Sequence, residues 1–189
     1  PLLLGNDALS LNAGKAPVIN VEVPGEGHAY CVYSLRGLPA TAPEPVSSGL
    51  AIAREWFDSS GNAIDLSSGT VRLKQGERVT VKLSFKPAKP IADLVVSDLL
   101  PGGLEVENPR LKTSSAGAAG EDDSRWGMYI DQREDRLLVF FDRVSGQTSY
   151  SYSLRAVSKG QFVLPPLAAE GMYAPEVNAV TGSGTVIVE

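Results

Sequence analysis

The chain has 189 residues, and a fold of that length buries roughly 70% of its unfolded surface, enough for one large domain or two small ones without disulfides. Its 17 Lys and Arg against 22 Asp and Glu leave a formal charge of −5, which excludes nucleic acid and anionic lipid as broad partners because both need a cationic excess. One Cys and one His exclude an internal disulfide and the ligand set of a zinc site, so neither metal nor cofactor is expected, and 43% hydrophobic with 21% charged residues excludes disorder throughout.

From the start of the chain, Pro1 is followed by Leu2, Leu3 and Leu4 without an initiator Met or a basic leader, which predicts a piece of a longer, processed protein. No apolar run reaches the length of a membrane span. Ile19, Val21 and Val23 alternate with Asn20 and Glu22, and Ala29, Cys31, Tyr33 and Leu35 alternate with Tyr30, Val32, Ser34 and Arg36, so residues 19–23 and 29–35 read as strands. The Pro-rich stretch PATAPEPVSS at 39–48 reads as an extended connection, and a domain boundary is placed there. The piece upstream is near the lower limit for folding without a partner.

Downstream the period-two pattern recurs. Residues 50–57 form a strand candidate, and residues 78–85 place Val79, Val81, Leu83 and Phe85 on one side and Arg78, Thr80, Lys82 and Ser84 on the other. Strands are also expected at 93–99, 104–111, 127–132, 161–164 and 185–188. Residues 137–141 are apolar at every position, which predicts a central strand covered on both faces. In 148–156 Tyr150, Tyr152, Leu154 and Ala156 oppose Ser149, Ser151, Ser153 and Arg155. Turn residues such as Ser60-Gly61-Asn62, Gln75-Gly76-Glu77 and Pro101-Gly102-Gly103 separate these runs, and TSSAGAAG at 113–120 reads as a mobile loop open to proteolysis. Many short strands with dense turn chemistry predict an all-β, antiparallel β-sandwich over 46–189, with a short strand segment at the N-terminus.

Chemistry-bearing residues are sparse. His28 lies in the Gly-flanked turn Gly25-Glu26-Gly27, which cannot hold a catalytic base in place, and those glycines lack the rest of a dinucleotide fingerprint. Cys31 reads as a small buried hydrophobe. The carboxylates at 121–123 and at Glu134-Asp135 are loop residues without the burial that makes a general acid, and Arg133 and Arg136 beside the second cluster read as weak surface partners. No catalytic residue is therefore expected. The informative segment is Gly171-Met172-Tyr173-Ala174-Pro175, where two bulky amphiphilic side chains stand between a Gly and a Pro in what reads as a loop. They plug their own core, or they are held out to contact another surface.

Over 49–189 the chain resembles the C-terminal macroglobulin-like domain of bacterial alpha-2-macroglobulins. The resemblance runs in order through GLAIAREWFDSSGNAIDL at 49–66, QGERVTVKLSF at 75–85, VVSDLLPGGLEVENPRL at 95–111, QREDRLLVFFD at 132–142 and YSYSLRAVSKGQFVLPPLAAEGMYAPEV at 150–177. Residues 1–45 then resemble the closing strands of the CUB-like domain that precedes it in that family. The resemblance implies a non-enzymatic, macroglobulin-like domain of a periplasmic protease trap, with the other domains of the same polypeptide, above all a thioester-type domain, as direct partners and proteases as partners of the whole. Cys31 is followed by Val32-Tyr33-Ser34 and so lacks the Glu-Gln of a thioester motif. The family's last domain presses a Met-Tyr loop on the thioester domain, and Met172 and Tyr173 stand at the matching positions, with Gly171, Ala174 and Pro175 shaping the lock loop. The competing expectation is a cell-surface adhesion module that binds an external protein or glycan through its loops.

Overall fold

The structure, a computed structural model, describes residues 44–107 and 127–189, all of them within the unit Pro39–Glu189. The expected strands at 19–23 and 29–35, His28, Cys31, the loop at 113–120 and the acidic run at 121–123 lie outside the described residues.

Among the described residues every regular element is a strand. In chain order, β1 (Val46–Ser48) and β2 (Leu50–Phe57) lead through the short β3 (Ala63–Ile64) to β4 (Thr70–Leu73) and β5 (Arg78–Pro87). β6 (Ile91–Leu99) and β7 (Leu104–Val106) come next, followed by β8 (Met128–Gln132), β9 (Arg136–Val144) and β10 (Thr148–Ala156). β11 (Gly160–Leu164), β12 (Leu167–Gly171), β13 (Ala174–Val180) and β14 (Gly184–Val188) complete the series.

The strands build a six-stranded sheet ordered β1-β13-β12-β6-β9-β8 and a five-stranded sheet ordered β3-β2-β5-β10-β7. A small third sheet, β11-β14-β4, adds to the two expected layers and holds the one parallel strand pairing among the described residues, β14 with β4. Every other strand pairing is antiparallel, as the alternation predicts.

The alternation fixes which side of each strand is dry. Val79, Val81, Leu83 and Phe85 of β5 are at most 1% exposed, and they share the core with Leu94 and Val96 of β6 and Leu137, Val139 and Phe141 of β9. The Phe85 and Phe141 rings meet with centroids 5.1 Å apart, joining the five-stranded sheet to the six-stranded one. Each such side chain is worth about 1.5–3 kcal/mol when removed from water, so this layer carries the sandwich.

Two expectations need correction. β9 does not lie at the centre of its sheet but next to the edge strand β8, and it is not covered on both faces. Leu138 and Phe140 point away from the core and stay half-exposed, because no described element forms a layer above them. The segment around Met172 and Tyr173, expected as a loop, is strand on both sides: only these two residues form the turn, with Gly171 ending β12 and Ala174 opening β13.

Candidate functional site: a hairpin tip and its groove

Gly171 pairs with Ala174, so Met172 and Tyr173 are the two residues of the turn between β12 and β13. Two-residue hairpin turns usually require positive φ and hence Gly or Asn, but neither Met172 nor Tyr173 has positive φ. The ladder accommodates this by an irregularity: the register runs Glu170↔Asn178 and then Gly171↔Ala174, so Pro175, Glu176 and Val177 are extra residues on β13. Asn178 Nδ2 donates to the Pro175 carbonyl at 2.8 Å and Ser48 Oγ donates to the Glu176 carbonyl at 2.7 Å, which ties the bulge to its own strand and to β1.

Gly171 is the hinge pin of this tip. A Cβ there would lie 2.7 Å from Ile91 Cδ1 and 3.0 Å from the Ala174 carbonyl oxygen, so a larger residue would force the Ile91 side chain and the hairpin backbone to shift. The Met172 amide donates to the Asp93 carbonyl at 2.9 Å, and Asp93 itself sits in the left-handed region at φ 51°. With its backbone held on both sides, the tip carries its two side chains outward: Met172 is 50% exposed and Tyr173 is 82% exposed. Ala174 is half-buried and Pro175 exposed. Beside the tip lies a groove of about 480 Å³, bordered by Gly49, the 88–93 segment, Tyr173, Ala174 and Val177. Its walls are mostly carbon, so the tip offers shape and apolar area rather than acid–base chemistry.

A second constellation was not apparent from the sequence. Arg54 of β2 reaches across the sandwich to Asp98 of β6, with Nη1 2.6 Å from Oδ1, and its Nη2 donates to the Pro165 carbonyl at 2.7 Å. The Tyr152 hydroxyl of β10 donates to the other Asp98 oxygen at 2.6 Å. The Arg54 and Asp98 side chains are 5% and 1% exposed. Burial raises the Asp98 carboxyl above its ordinary range against the pull of Arg54 and Tyr152, and burial together with the Asp98 charge pushes the Tyr152 phenol well up. Such shifts accompany catalytic sites, but no substrate reaches a carboxylate sealed this far inside. The group is a joint: it ties β2 and β10 to β6 and to the segment that enters β12, the strand leading to the hairpin tip. The signal was present, since Arg54 shares the inward side of β2 with Leu50, Ile52 and Trp56, and Asp98 shares that of β6 with Leu94 and Val96.

Of the other candidates, Arg136 pairs with Asp135 at 2.6 Å and Arg133 pairs with Asp131 at 2.8 Å rather than with Glu134, all at the surface. Among the described residues no group of three His, Cys, Asp or Glu side chains could hold a metal ion, and no helix is long and apolar enough to cross a membrane.

Comparison with known proteins gives this geometry a context. Residues 49–176 match the family described as the bacterial alpha-2-macroglobulin MG10 domain. An alpha-2-macroglobulin of Xylella fastidiosa is 30% identical over 190 residues, and one of Escherichia coli is 29% identical over 191, each alignment covering 95% of this chain and 11% of the relative. The crystal structure of the native E. coli protein from domain MG7 to the C-terminus superimposes with a TM-score of 0.68 at 28% identity, covering 81% of this chain and 25% of that one. Salmonella alpha-2-macroglobulin reacted with methylamine superimposes at 0.65 with 34% identity, covering 80% of this chain and 10% of that one. The chain thus spans about a tenth of the length of the curated relatives it matches.

Proposed function

Because the chain belongs to the bacterial alpha-2-macroglobulin MG10 domain family, we propose that it acts without catalysis inside a periplasmic protease trap, docking Met172 and Tyr173 on a neighbouring thioester-type domain. The observation that carries this reading is the hairpin tip. A tyrosine 82% exposed at the end of a two-residue turn, on a backbone clamped by Asp93 and by Gly171, is a costly arrangement for an isolated domain and a useful one for a lock.

The physics of the lock follows from its chemistry. A thioester is lost when water attacks the acyl carbon and the C–S bond breaks, leaving a carboxylate and a thiol. Apolar side chains seated over that bond exclude the water. Burying Met172 and Tyr173 is worth about 1.5–3 kcal/mol each, enough to hold two tethered domains together and little enough to release when cleavage elsewhere rearranges the protein. That a Salmonella relative has been reacted with methylamine supports an amine-reactive acyl group in proteins of this kind, since an amine displaces a thiolate from such a centre.

Tyr173→Ala in the full-length protein should speed the spontaneous appearance of a free thiol in the absence of any protease, read with a thiol-specific dye, and should loosen the native particle in small-angle scattering. Unchanged thiol release together with unchanged compactness would reject the lock.

A further inference from the structure

Next to the hairpin tip, β6 breaks the backbone rule of a strand at one residue. Among the described residues Asp93 alone has positive φ without being Gly, at 51°, and it lies inside β6 rather than in a turn. The alternation changes at that point. Leu94, Val96 and Asp98 are inward on β6, yet the inward residue before Leu94 is Ile91, so Ala92 and Asp93 both stand where a regular strand has a single outward residue. β9 does the same on the facing rung: Phe141 and Val144 are inward, with Asp142 and Arg143 exposed between them. The register runs Ala92↔Arg143 and then Leu94↔Phe141, skipping the rung of Asp93 and Asp142. The backbone groups of that rung bond elsewhere. The Asp142 amide donates to the Gly127 carbonyl at 2.7 Å, and the Asp93 carbonyl accepts from the Met172 amide at 2.9 Å.

Both consequences of this kink meet at the tip. The register of β12 on β6 ends at Gly171↔Leu94, and the Met172 bond to Asp93 carries it one residue further, so the turn starts from a fixed point. The kink also returns Ile91 to the inward side, where its Cδ1 lies 2.7 Å from the place a Cβ on Gly171 would take. β6 thus holds the end of β12 by a backbone bond at Met172 and by packing at Gly171, and both depend on one left-handed residue. That conformation is open to Gly, tolerated by Asp and Asn, and a severe strain for β-branched residues. Strain of this kind persists only where the surrounding structure holds it, and it gathers at functional sites. We propose that Asp93 is the positioning residue of the tip: its left-handed backbone sets the place and direction in which Met172 and Tyr173 leave the sheet. Asp93 then governs thioester shielding through Tyr173, a role that rests on the docking function proposed above.

Variants of the full-length protein test this by backbone preference. Asp93→Asn and Asp93→Gly keep the left-handed conformation accessible, Asp93→Val does not, and Val96→Ala weakens the core of the same strand away from the kink. Asp93→Val should speed both amide hydrogen exchange at Met172 and free-thiol release several-fold, whereas Asp93→Asn and Asp93→Gly should leave both at native values. Where Asp93→Val does not fold, Asp93→Ala, a milder strain, takes its place. Val96→Ala should lower the urea midpoint and leave Met172 exchange and thiol release native. Asp93→Val with Tyr173→Ala should release thiol no faster than Tyr173→Ala alone, because the first residue acts through the second. Native exchange at Met172 in Asp93→Val overturns the proposal. So does thiol release in Val96→Ala as fast as in Asp93→Val, since the effect is then lost stability alone, and so does native release in Asp93→Val where Tyr173→Ala speeds it. Faster Met172 exchange in Asp93→Val together with native thiol release in Tyr173→Ala upholds Asp93 as the residue that places the tip and rejects the lock.

Discussion

The two large sheets are built on one backbone rule and finished differently. On the five-stranded sheet the outward residues of β5 and β10 are Thr80, Lys82 and Ser84 set in register against Ser153, Ser151 and Ser149. On the six-stranded sheet the outward positions are mixed: Val95 faces Phe140, but the next row sets Ser97 against Leu138, and Glu170 and Asn178 continue the first row on β12 and β13. Their inward faces are equally apolar and share one core, so the difference lies outside what folding of the domain requires. A polar outer face is finished by water. The cluster of Val95, Leu138, Phe140 and Tyr129 is wetted poorly by comparison, and the hairpin tip proposed to dock projects from the same sheet.

That contrast presupposes that the two sheets move as one body, and the Arg54–Asp98–Tyr152 joint is where this is most easily broken. Asp98→Ala leaves the Arg54 guanidinium buried without its carboxylate and should cost about 3–5 kcal/mol, the largest single effect expected here. In urea, with Trp126→Phe in the background so that Trp56 is the only tryptophan, far-ultraviolet circular dichroism and the fluorescence of buried Trp56 should shift together. If the fluorescence, which reports the five-stranded sheet, loses stability alone, the sheets are separable and the comparison of their faces loses its footing.

A smaller effect at the same joint has a pH signature. Tyr152→Phe removes one hydrogen bond from Asp98 and should cost about 1–3 kcal/mol. The phenol's folded pKa is raised above the unfolded value of about 10, so the folded state holds the proton more tightly. Its contribution is complete below about pH 10 and is lost as pH climbs from there through the folded value. The thermal midpoint of the native chain should therefore drop steeply above that pH, and Tyr152→Phe should flatten the drop. An equally steep drop in the variant assigns the alkaline loss to another group.

Much of this architecture is legible in the residues, and where legibility fails the reason is distance along the chain. Residues 50–57 and 148–156 form strands with the bounds that their alternation marks, and β5 runs only to Pro87 beyond the expected 78–85. β4 and β12 carry too little pattern: Thr70–Leu73 offers two inward residues, and Leu167–Gly171 is rich in Ala and Gly. Their strand state comes from partners far away, β14 for one and β6 for the other. The hairpin tip shows the same limit. Met172 and Tyr173 stand out by composition, but the bulge that lets them turn without positive φ depends on how Glu170 and Asn178 come into register. Arg54 and Asp98 can each be placed inward by period two, whereas their meeting is a property of how two sheets face each other.

The finest test compares the outer faces directly, one residue on each. Phe140→Thr gives up the ring contact with Tyr129 and some half-buried area, so it should cost the chain about 1 kcal/mol. Lys82→Ala removes only an exposed, 3.8 Å partner of Glu55 and should stay within about 0.5 kcal/mol of the parent. Stability is the lesser part of this pair. Binding of an apolar fluorescent dye to the native chain should fall with Phe140→Thr and stay unchanged with Lys82→Ala, because only the first erases area that water wets poorly. If both substitutions leave dye binding at the parent level, Val95, Leu138 and Phe140 already shield one another well enough to be finished by solvent, and the two outer faces do not differ in how water meets them.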